Sequence, residues 1–270
     1  MSRSIAAPQD RTIGDHIREW RQHRRISQLA LALELELSQK HLSFIESGRS
    51  IPSREVVLRI ASGLDVPLRI RNLMLLAAGY APRYLERPLD HPDLAAARDA
   101  VELVLRSYEP FPAIAIDRGW NLVAANGATQ MLFNIVQDPA LLEPPVNVLR
   151  GSLHPRGLAP LIENYDEWSR NILKRLDAEL EATGDADLRE LIAELEALTG
   201  LTAPRDGRED FAGVFVPLKL RLPAGTATFI STTTVFGTPT EVTLSELAIE
   251  AFLPADAATS EMLRAQAGAA

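Results

Sequence analysis

Residues 27–50 read SQLALALELELSQKHLSFIESGRS and carry the signals of two short helices separated by a tight turn. Ser27 and Ser38 are each placed to cap a helix, because a serine side-chain oxygen accepts hydrogen bonds from the unpaired amides of the first turn. Gly48 follows the second helical segment and tolerates the left-handed conformation that ends many helices. Two helices in so short a stretch predict a sharp helical corner.

The apolar spacing of the second helix predicts which of its faces is free. Leu37, Leu42 and Ile45 recur at helical intervals and are expected to face a core. The remaining face combines glutamine, lysine, serine and phenylalanine, side chains that can bond to base edges or pack on a thymine methyl in the major groove. Two flanking side chains are expected to reach phosphates and set the register on DNA. The predicted DNA-binding residues are Gln28, Ser38, Gln39, Lys40, Ser43, Phe44 and Arg49.

Charge is divided unevenly along the chain. The whole sequence holds 28 basic and 36 acidic side chains, a net charge of −8, which by itself argues against nucleic acid. Residues 1–84, however, hold 13 basic and 8 acidic side chains, a net charge of +5, which leaves −13 for the remainder. Such a division is expected when a small DNA-binding domain is fused to an acidic domain with another task.

Together these residues resemble the Cro/C1-type helix-turn-helix domain, also called the XRE family. The run HLSFIESGRSIPSREVVLRIASGLDVPL, continued by RIRNLMLLAAGYAP, is similar to one branch of it, the MmyB-like transcription regulators. One position departs from the motif, since Glu36 stands where the turn usually has glycine. A left-handed non-glycine residue costs about 1 kcal/mol, so this turn is expected to be strained or differently shaped. An ordinary helical hairpin is the alternative interpretation of the segment.

The amino-terminal region is expected to form five helices over residues 12–84, after a flexible tail at residues 1–11. Thr12 with Asp15 makes a capping-box variant at the start of the first helix, and Ser53 caps the fourth. A fifth helix runs from about Leu68 to Gly79. The arginines of the first helix are interpreted as a solvated basic face, with contact to the DNA backbone as the functional alternative; they are Arg18, Arg21, Arg24 and Arg25.

Residues 85–109 form a proline-containing connector with an amphipathic helix, and residues 110–265 a second domain. Its pattern is a β-hairpin, then helices, then a three-stranded meander. This order predicts a five-stranded antiparallel sheet with helices inserted between the second and third strands, as in PAS-like domains. The fold class is therefore α+β, with an all-α domain followed by a PAS-like domain. The predicted elements are strands 113–117, 120–125, 214–222, 226–236 and 240–253, and helices 94–108, 127–134, 158–183 and 186–199.

Residues 110–265 also resemble the ligand-binding half of the MmyB-like regulators, through AIDRGWNLVAAN, LHPRGLAPLIENYDEW and STTTVFGTPTEVTLSELAIEAFLPAD. The resemblance implies a pocket for a small apolar or amphipathic ligand of the fatty-acid type. Apolar and aromatic side chains of this region are candidates to line it, with a few convergent polar groups. A filled core is the alternative for each of them. The predicted ligand-binding residues are Phe133, Leu153, His154, Trp168, Ile172, Phe215 and Phe229, and further polar candidates are Asn126, Arg170 and Thr232.

Other functional classes find little support in the sequence. It has no GxSxG, P-loop or HExxH pattern, no cysteine, and five scattered histidines, so neither catalysis nor a metal site nor a cofactor is expected. The start MSRSIAAPQD lacks the apolar stretch of a signal peptide, and no run is long enough to span a membrane, which predicts a cytoplasmic protein. We expect a homodimer that binds a near-palindromic DNA operator. A second domain that only dimerises the DNA readers is the alternative, and a hydrolase a more remote one.

Overall fold

The computed structural model describes residues 11–202, 215–237 and 239–269. Most of the predicted tail and Val214, the first residue of one predicted strand, lie outside these ranges. The chain divides into two compact units. One comprises Met1–Arg87 together with Pro239–Ser245, and the other Pro88–Thr238 together with Glu246–Ala270. The amino-terminal unit is thus discontinuous in sequence, which the predicted boundary at residue 84 does not anticipate.

Five helices form the amino-terminal part of the first unit, as predicted. Each of the first four begins where a serine or threonine side chain accepts a backbone hydrogen bond, at Thr12, Ser27, Ser38 and Ser53. Their apolar faces meet in one core, in which Leu42 and Ile45 are fully buried. The helices are α1 Ile13–His23, α2 Gln28–Glu34, α3 Gln39–Glu46, α4 Arg54–Gly63 and α5 Leu68–Ala77.

The turn between α2 and α3 is left-handed at a glutamate. Glu36 has φ 53°, the conformation that glycine usually supplies at this position. The left-handed conformation behind the expected strain is therefore present at Glu36, and the strain itself stays a prediction. Arg25 and Asp65 end α1 and α4 in the same way, with φ 56° and 49°. Three helix ends of this unit are closed by charged residues in a conformation that L-residues seldom adopt.

The second unit is built on a five-stranded antiparallel sheet of order β2-β1-β5-β4-β3. β1 and β5 pair in the middle, and the hairpin partners β2 and β3 occupy the two edges. This is the PAS-like sheet that the sequence predicts, with the helical insertion between β2 and β3. The strands are β1 Ala113–Ile116, β2 Leu122–Ala125, β3 Leu218–Leu222, β4 Gly225–Val235 and β5 Ala248–Pro254.

The two faces of the sheet are covered by different helices. Ala113 and Ala115 of β1 pack with Val101 and Leu105 of α6, whereas the alternating residues of β1 join the core beneath the inserted helices. The sheet is therefore the middle layer of this unit. Its helices are α6 Ala95–Ser107, α7 Gln130–Phe133, α8 Val148–Leu153, α9 Tyr165–Thr183, α10 Ala186–Thr199 and α12 Ala257–Ala269, while α11 Val242–Ser245 belongs to the first unit.

Some predicted elements differ from the structure. The predicted helix 158–183 is a short 3-10 turn followed by α9, which begins only at Tyr165. The predicted strand 240–253 is the single-turn helix α11 followed by β5. The β-branched residues of Val242–Ser245 read as strand, and one helical turn is too short to show a helical period. The sequence prediction also missed α8 and α12.

Candidate functional site

One side of α3 is accessible to a partner. Gln39, Lys40 and Arg49 are exposed and Ser43 and Phe44 half-buried, while the opposite side of the helix is fixed in the core. Two cations make cation–π contacts with the Phe44 ring. The Arg49 guanidinium carbon is 4.5 Å and the Lys40 Nζ 5.6 Å from the ring centroid. Arg49 Nε also donates to Ser47 Oγ at 2.9 Å. We call the surface formed by Gln39, Lys40, Ser43, Phe44 and Arg49 the α3 ridge.

The other two predicted DNA-binding residues make contacts within the unit. Ser38 Oγ accepts a hydrogen bond from the His41 amide at 3.1 Å, so this side chain caps α3. Gln28 Nε2 donates to Glu46 Oε2 at 2.8 Å. A role of Gln28 at a phosphate stays a prediction, and the amide would have to leave or share the Glu46 carboxylate.

Glu46 joins α1, α2 and α3 and was missed by the sequence analysis. Its side chain is 1% exposed, and Arg21 approaches it with Nε–Oε1 2.7 Å and Nη2–Oε2 3.0 Å. Arg18 Nη2 donates to the Glu46 carbonyl at 2.5 Å. Burial raises the pKa of the Glu46 carboxyl, but hydrogen bonds from Arg21 and Gln28 outweigh it and hold the pKa below its usual value.

The arginines of α1 are therefore not simply a solvated face, which corrects the preferred interpretation. Arg21 is largely buried against Glu46, and Arg24 donates to the Leu64 and Asp65 carbonyls at 3.0 Å each. Arg21 therefore links α1 to α3, and Arg24 links the end of α1 to the end of α4. Sequence periodicity places them correctly away from the apolar stripe but carries no information on which carbonyl or carboxylate they meet.

The second unit contains a largely apolar cavity between the sheet and the inserted helices. Its empty volume, including space open to solvent, is about 800 Å³. β1, β3 and β5 supply its floor and α7, α8 and α9 its walls. Phe133, Trp168 and Ile172 line it among the predicted ligand-binding residues.

The other predicted ligand-binding residues lie elsewhere. Leu153 and Phe229 are part of the packed core, and Phe229 meets Phe252 edge to face. Phe215 is 52% exposed. His154 Nδ1 accepts a hydrogen bond from the Arg156 amide at 3.1 Å. None of these four is among the described residues that line the cavity, and the filled-core alternative fits Leu153 and Phe229.

The further polar candidates are also outside the cavity. Asn126 is buried, with its Oδ1 accepting from the Ala113 amide at 3.0 Å and its Nδ2 donating to the Phe111 carbonyl at 2.8 Å. It therefore fixes β1 against the chain that precedes it. Arg170 and Thr232 are exposed.

Two charged side chains that sequence reasoning missed face the cavity. Arg175 on α9 donates from Nη1 to Glu250 Oε1 on β5 at 2.9 Å, and the Glu250 side chain is 5% exposed. The Arg175 guanidinium also lies over the Trp120 ring, 5.3 Å from its centroid. Trp120 Nε1 donates to Glu179 at 3.2 Å, and burial raises the pKa of that carboxyl despite the bond.

The sequence did contain a signal for this pair. Arg175 follows Trp168 and Ile172 at seven and three residues, which places a cation on the buried face of α9. Glu250 interrupts the apolar run AIEAFLP of a central strand. A charge at such a position is rarely tolerated without a partner. Opposite charges inside two apolar patterns therefore predict an ion pair, although not its place beside a cavity.

The described part of the chain offers neither a cluster of metal ligands nor a membrane-spanning helix. No group of histidine and acidic side chains there could hold a metal ion. Nor does any helix in those ranges combine the length and apolar character that crossing a bilayer requires.

Two family models match the chain. One is a helix-turn-helix model, over residues 17–70, and the other the MmyB-like transcription regulator ligand binding domain, over residues 97–265. The second match alone covers more than half of the chain. The chain belongs to the MmyB-like transcription regulators. As an MmyB-like regulator it combines a DNA-binding helix-turn-helix with a ligand-binding domain, and both families are regulator domains rather than enzymes. Comparison with curated proteins gives no match.

Proposed function

We propose that this MmyB-like regulator binds its operator as a homodimer and reads base edges with the α3 ridge. The exposed, doubly cationic surface of α3 is the observation that carries the proposal. Two copies related by a two-fold axis would place α3 in successive major grooves about 34 Å apart on a near-palindromic site. Gln39 and Lys40 bond to base edges in this proposal, and Arg49 to a phosphate.

Single substitutions on the ridge test base readout. Gln39→Ala is expected to weaken binding to the selected operator by roughly 1–3 kcal/mol while leaving binding to random DNA nearly unchanged. Arg49→Ala is expected to weaken binding to the operator and to random DNA alike, and to lower the dependence of affinity on salt. These affinities and their salt dependence are measured by titration at several salt concentrations, with operator fragments selected from genomic DNA.

Gln22→Ala is a matched control, because Gln22 is an exposed glutamine on α1, outside the α3 ridge. It is expected to leave both affinities unchanged. Equal losses on operator and random DNA in Gln39→Ala would refute base readout by Gln39. A monomer on the operator in a mass measurement would refute the homodimer.

We further propose that the second unit senses a small apolar or amphipathic ligand with an alkyl chain of the fatty-acid type. The cavity supports this, because apolar side chains dominate its lining. Native mass spectrometry of protein purified from cells, with thermal shifts across a panel of alkyl compounds, tests it. Persistent absence of a bound molecule and of any shift would favour a domain that only dimerises the DNA readers. No turnover of generic esters is expected.

A further inference from the structure

The lining of the cavity contains one charged pair. Arg175 and Glu250 are the two ionisable residues among its lining in the described part of the chain, and they are paired at 2.9 Å. Arg175 is further held by the Trp120 ring and by a 3.4 Å contact of Nη2 with Thr233 Oγ1. The positive charge is thus already opposed by a carboxylate, and the pair contributes no net charge to the cavity.

A carboxylate ligand would disturb this balance. Bringing a second anion to Arg175 places it beside Glu250 and near Glu179, which accepts a hydrogen bond from Trp120 Nε1, in a largely apolar space where like charges repel strongly. The ligand anion would have to displace Glu250 from its partner or take up a proton. A neutral group avoids both costs, because a hydroxyl or amide can accept from Arg175 and donate to Glu250 at once.

A second polar atom points to an oxygen-bearing ligand. Trp168 lines the cavity and is 3% exposed, and its Nε1 has no hydrogen-bond partner among the described residues. A buried indole N–H normally has an acceptor. Trp168, Ile172 and Arg175 share one face of α9, and at 1.5 Å per residue Trp168 and Arg175 are separated by about 10 Å along the axis. The polar lining residues Thr129 and Asn147, in contrast, are bonded within the unit.

We propose that the ligand carries an uncharged, oxygen-bearing head group, as in a long-chain alcohol or amide, and binds it at the Arg175–Glu250 pair. This inference rests on the proposed sensing of an alkyl ligand and specifies its chemistry. Glu250 acts as the selectivity residue, since its carboxylate accepts from the ligand and repels an acid. Trp168 Nε1 donates to an acceptor further along the ligand.

Matched probes of one chain length test the head group. The full-length protein is titrated with dodecanol, dodecanamide, dodecanoate and dodecane well above the pKa of the acid, by calorimetry and by the fluorescence of the cavity tryptophans. The alcohol and amide are expected to bind about tenfold or more tightly than dodecanoate. Tighter binding of dodecanoate than of dodecanol by the unsubstituted protein would overturn the inference.

Charge removal at Glu250 should invert that preference. Glu250→Gln keeps the shape and removes the carboxylate bonded to Arg175, so dodecanoate affinity is expected to rise by about tenfold or more and to exceed that of dodecanol. Glu181→Gln, the same change at an exposed position of α9, is the control and should change neither affinity. An unchanged acid-to-alcohol ratio in Glu250→Gln would contradict the role of Glu250.

A double variant keeps the test informative if Glu250→Gln folds poorly. Arg175→Met with Glu250→Met replaces the pair by apolar side chains, an exchange that buried ion pairs often tolerate. It is expected to bind dodecane and dodecanol alike, and a retained preference for dodecanol would refute the inference. If no probe binds the unsubstituted protein or any variant, the proposal that the second unit senses an alkyl ligand is refuted. The inference about the head group is then refuted with it.

Discussion

At the scale of single residues, Glu46 does most to fix the position of α3. Its buried carboxylate receives Arg21 from α1 and Gln28 from α2, so three helices meet at one charge. A partly buried ion pair of this kind contributes less by attraction than by the penalty of leaving one member alone. Glu46 therefore connects the orientation of the α3 ridge to the rest of the unit.

Glu46→Gln should lower the stability of the first unit in a pH-dependent way. The pKa of Glu46 is lower in the folded than in the unfolded chain, so its stabilisation is complete above the unfolded value and is lost as the pH falls through the folded value. We expect a loss of about 1–3 kcal/mol at neutral pH that shrinks in acid. Urea unfolding followed by Trp20 fluorescence, with Trp120 and Trp168 replaced by phenylalanine, measures it.

The exposed Glu34→Gln substitution is the control for this experiment and should leave the pH profile unchanged. If Glu46→Gln loses the same stability at every pH, the charge of Glu46 is not what stabilises the unit.

Gly14 permits the close approach of α1 to α3. A Cβ at this position would lie 2.6 Å from the Ile45 carbonyl oxygen and 2.7 Å from that of Glu46, both backbone atoms. Gly14→Ala is therefore expected to cost about 1–3 kcal/mol by overpacking and to weaken operator binding through a displaced α3. Gly268→Ala, where a Cβ meets nothing within 4 Å, should cost none. Unchanged stability of Gly14→Ala in the same Trp20 assay would show that α1 and α3 can move apart without cost.

Residue-level prediction from sequence succeeded where a pattern repeats and failed where partners are distant. Leu42 and Ile45 were placed in the core because apolar spacing reports it, and both are fully buried. Arg21 lies 25 residues from Glu46, and no local pattern identifies it as the partner. Arg175 and Glu250 interrupt two apolar patterns 75 residues apart, but neither pattern places the pair beside a cavity. For the same reason, Phe133, Trp168 and Ile172 were indistinguishable by sequence from core residues such as Phe229.

At the scale of elements, the turn between α2 and α3 stores strain that substitution can release. Glu36→Gly removes the left-handed penalty of about 1 kcal/mol but gives the unfolded chain more freedom, so the net effect is a gain of up to about 1 kcal/mol. Glu34→Gly, at the last residue of α2, should instead lose up to about 1 kcal/mol. The two glycine variants are compared by urea unfolding. A loss at Glu36 equal to that at Glu34 would contradict a strained turn.

Elements were predictable in proportion to their length and to the clarity of their ends. The serine-capped helices α2, α3 and α4 and the long helix α10 agree with the sequence prediction, because caps and several turns of periodicity carry independent information. The sequence of the single-turn helix α11 predicts a strand, since four residues rich in β-branched side chains satisfy both patterns. The five-stranded antiparallel sheet is predictable because the hairpin, the helices and the meander leave few topologies open.

At the scale of the whole molecule, the chain separates two tasks by charge and by fold. The basic amino-terminal region matches the helix-turn-helix family and the acidic remainder the ligand-binding family. A ligand changes operator affinity only if it prefers one state of the DNA-binding unit, and the operator must then change ligand affinity by the same factor. Titrating ligand with and without operator should return that reciprocal factor, and an effect in one direction only would exclude simple coupling of the two sites.

The segment Pro239–Ser245 makes the first unit depend on a distant part of the chain. Val242 is fully buried, its amide donates to the Leu85 carbonyl at 2.8 Å, and Thr243 Oγ1 donates to the Arg87 carbonyl at 2.5 Å. An amino-terminal fragment of residues 1–87 lacks this segment and exposes the α5 surface on which α11 packs. We expect the fragment to unfold at a lower urea concentration than the same unit in the full-length chain, by about 2 kcal/mol for the lost valine burial alone.

Trp20 fluorescence follows the unfolding of this unit in both the fragment and the full-length chain. Trp20 is the single tryptophan of the fragment and of the full-length chain with Trp120 and Trp168 replaced. Thr243→Val in the full-length chain should lose about 1 kcal/mol, since it removes one hydrogen bond and keeps the segment in place. Equal unfolding midpoints for fragment and full-length chain would mean that Pro239–Ser245 contributes nothing to the DNA-binding unit. A stability deficit that shrinks when a peptide of residues 236–247 is added would instead tie it to this segment.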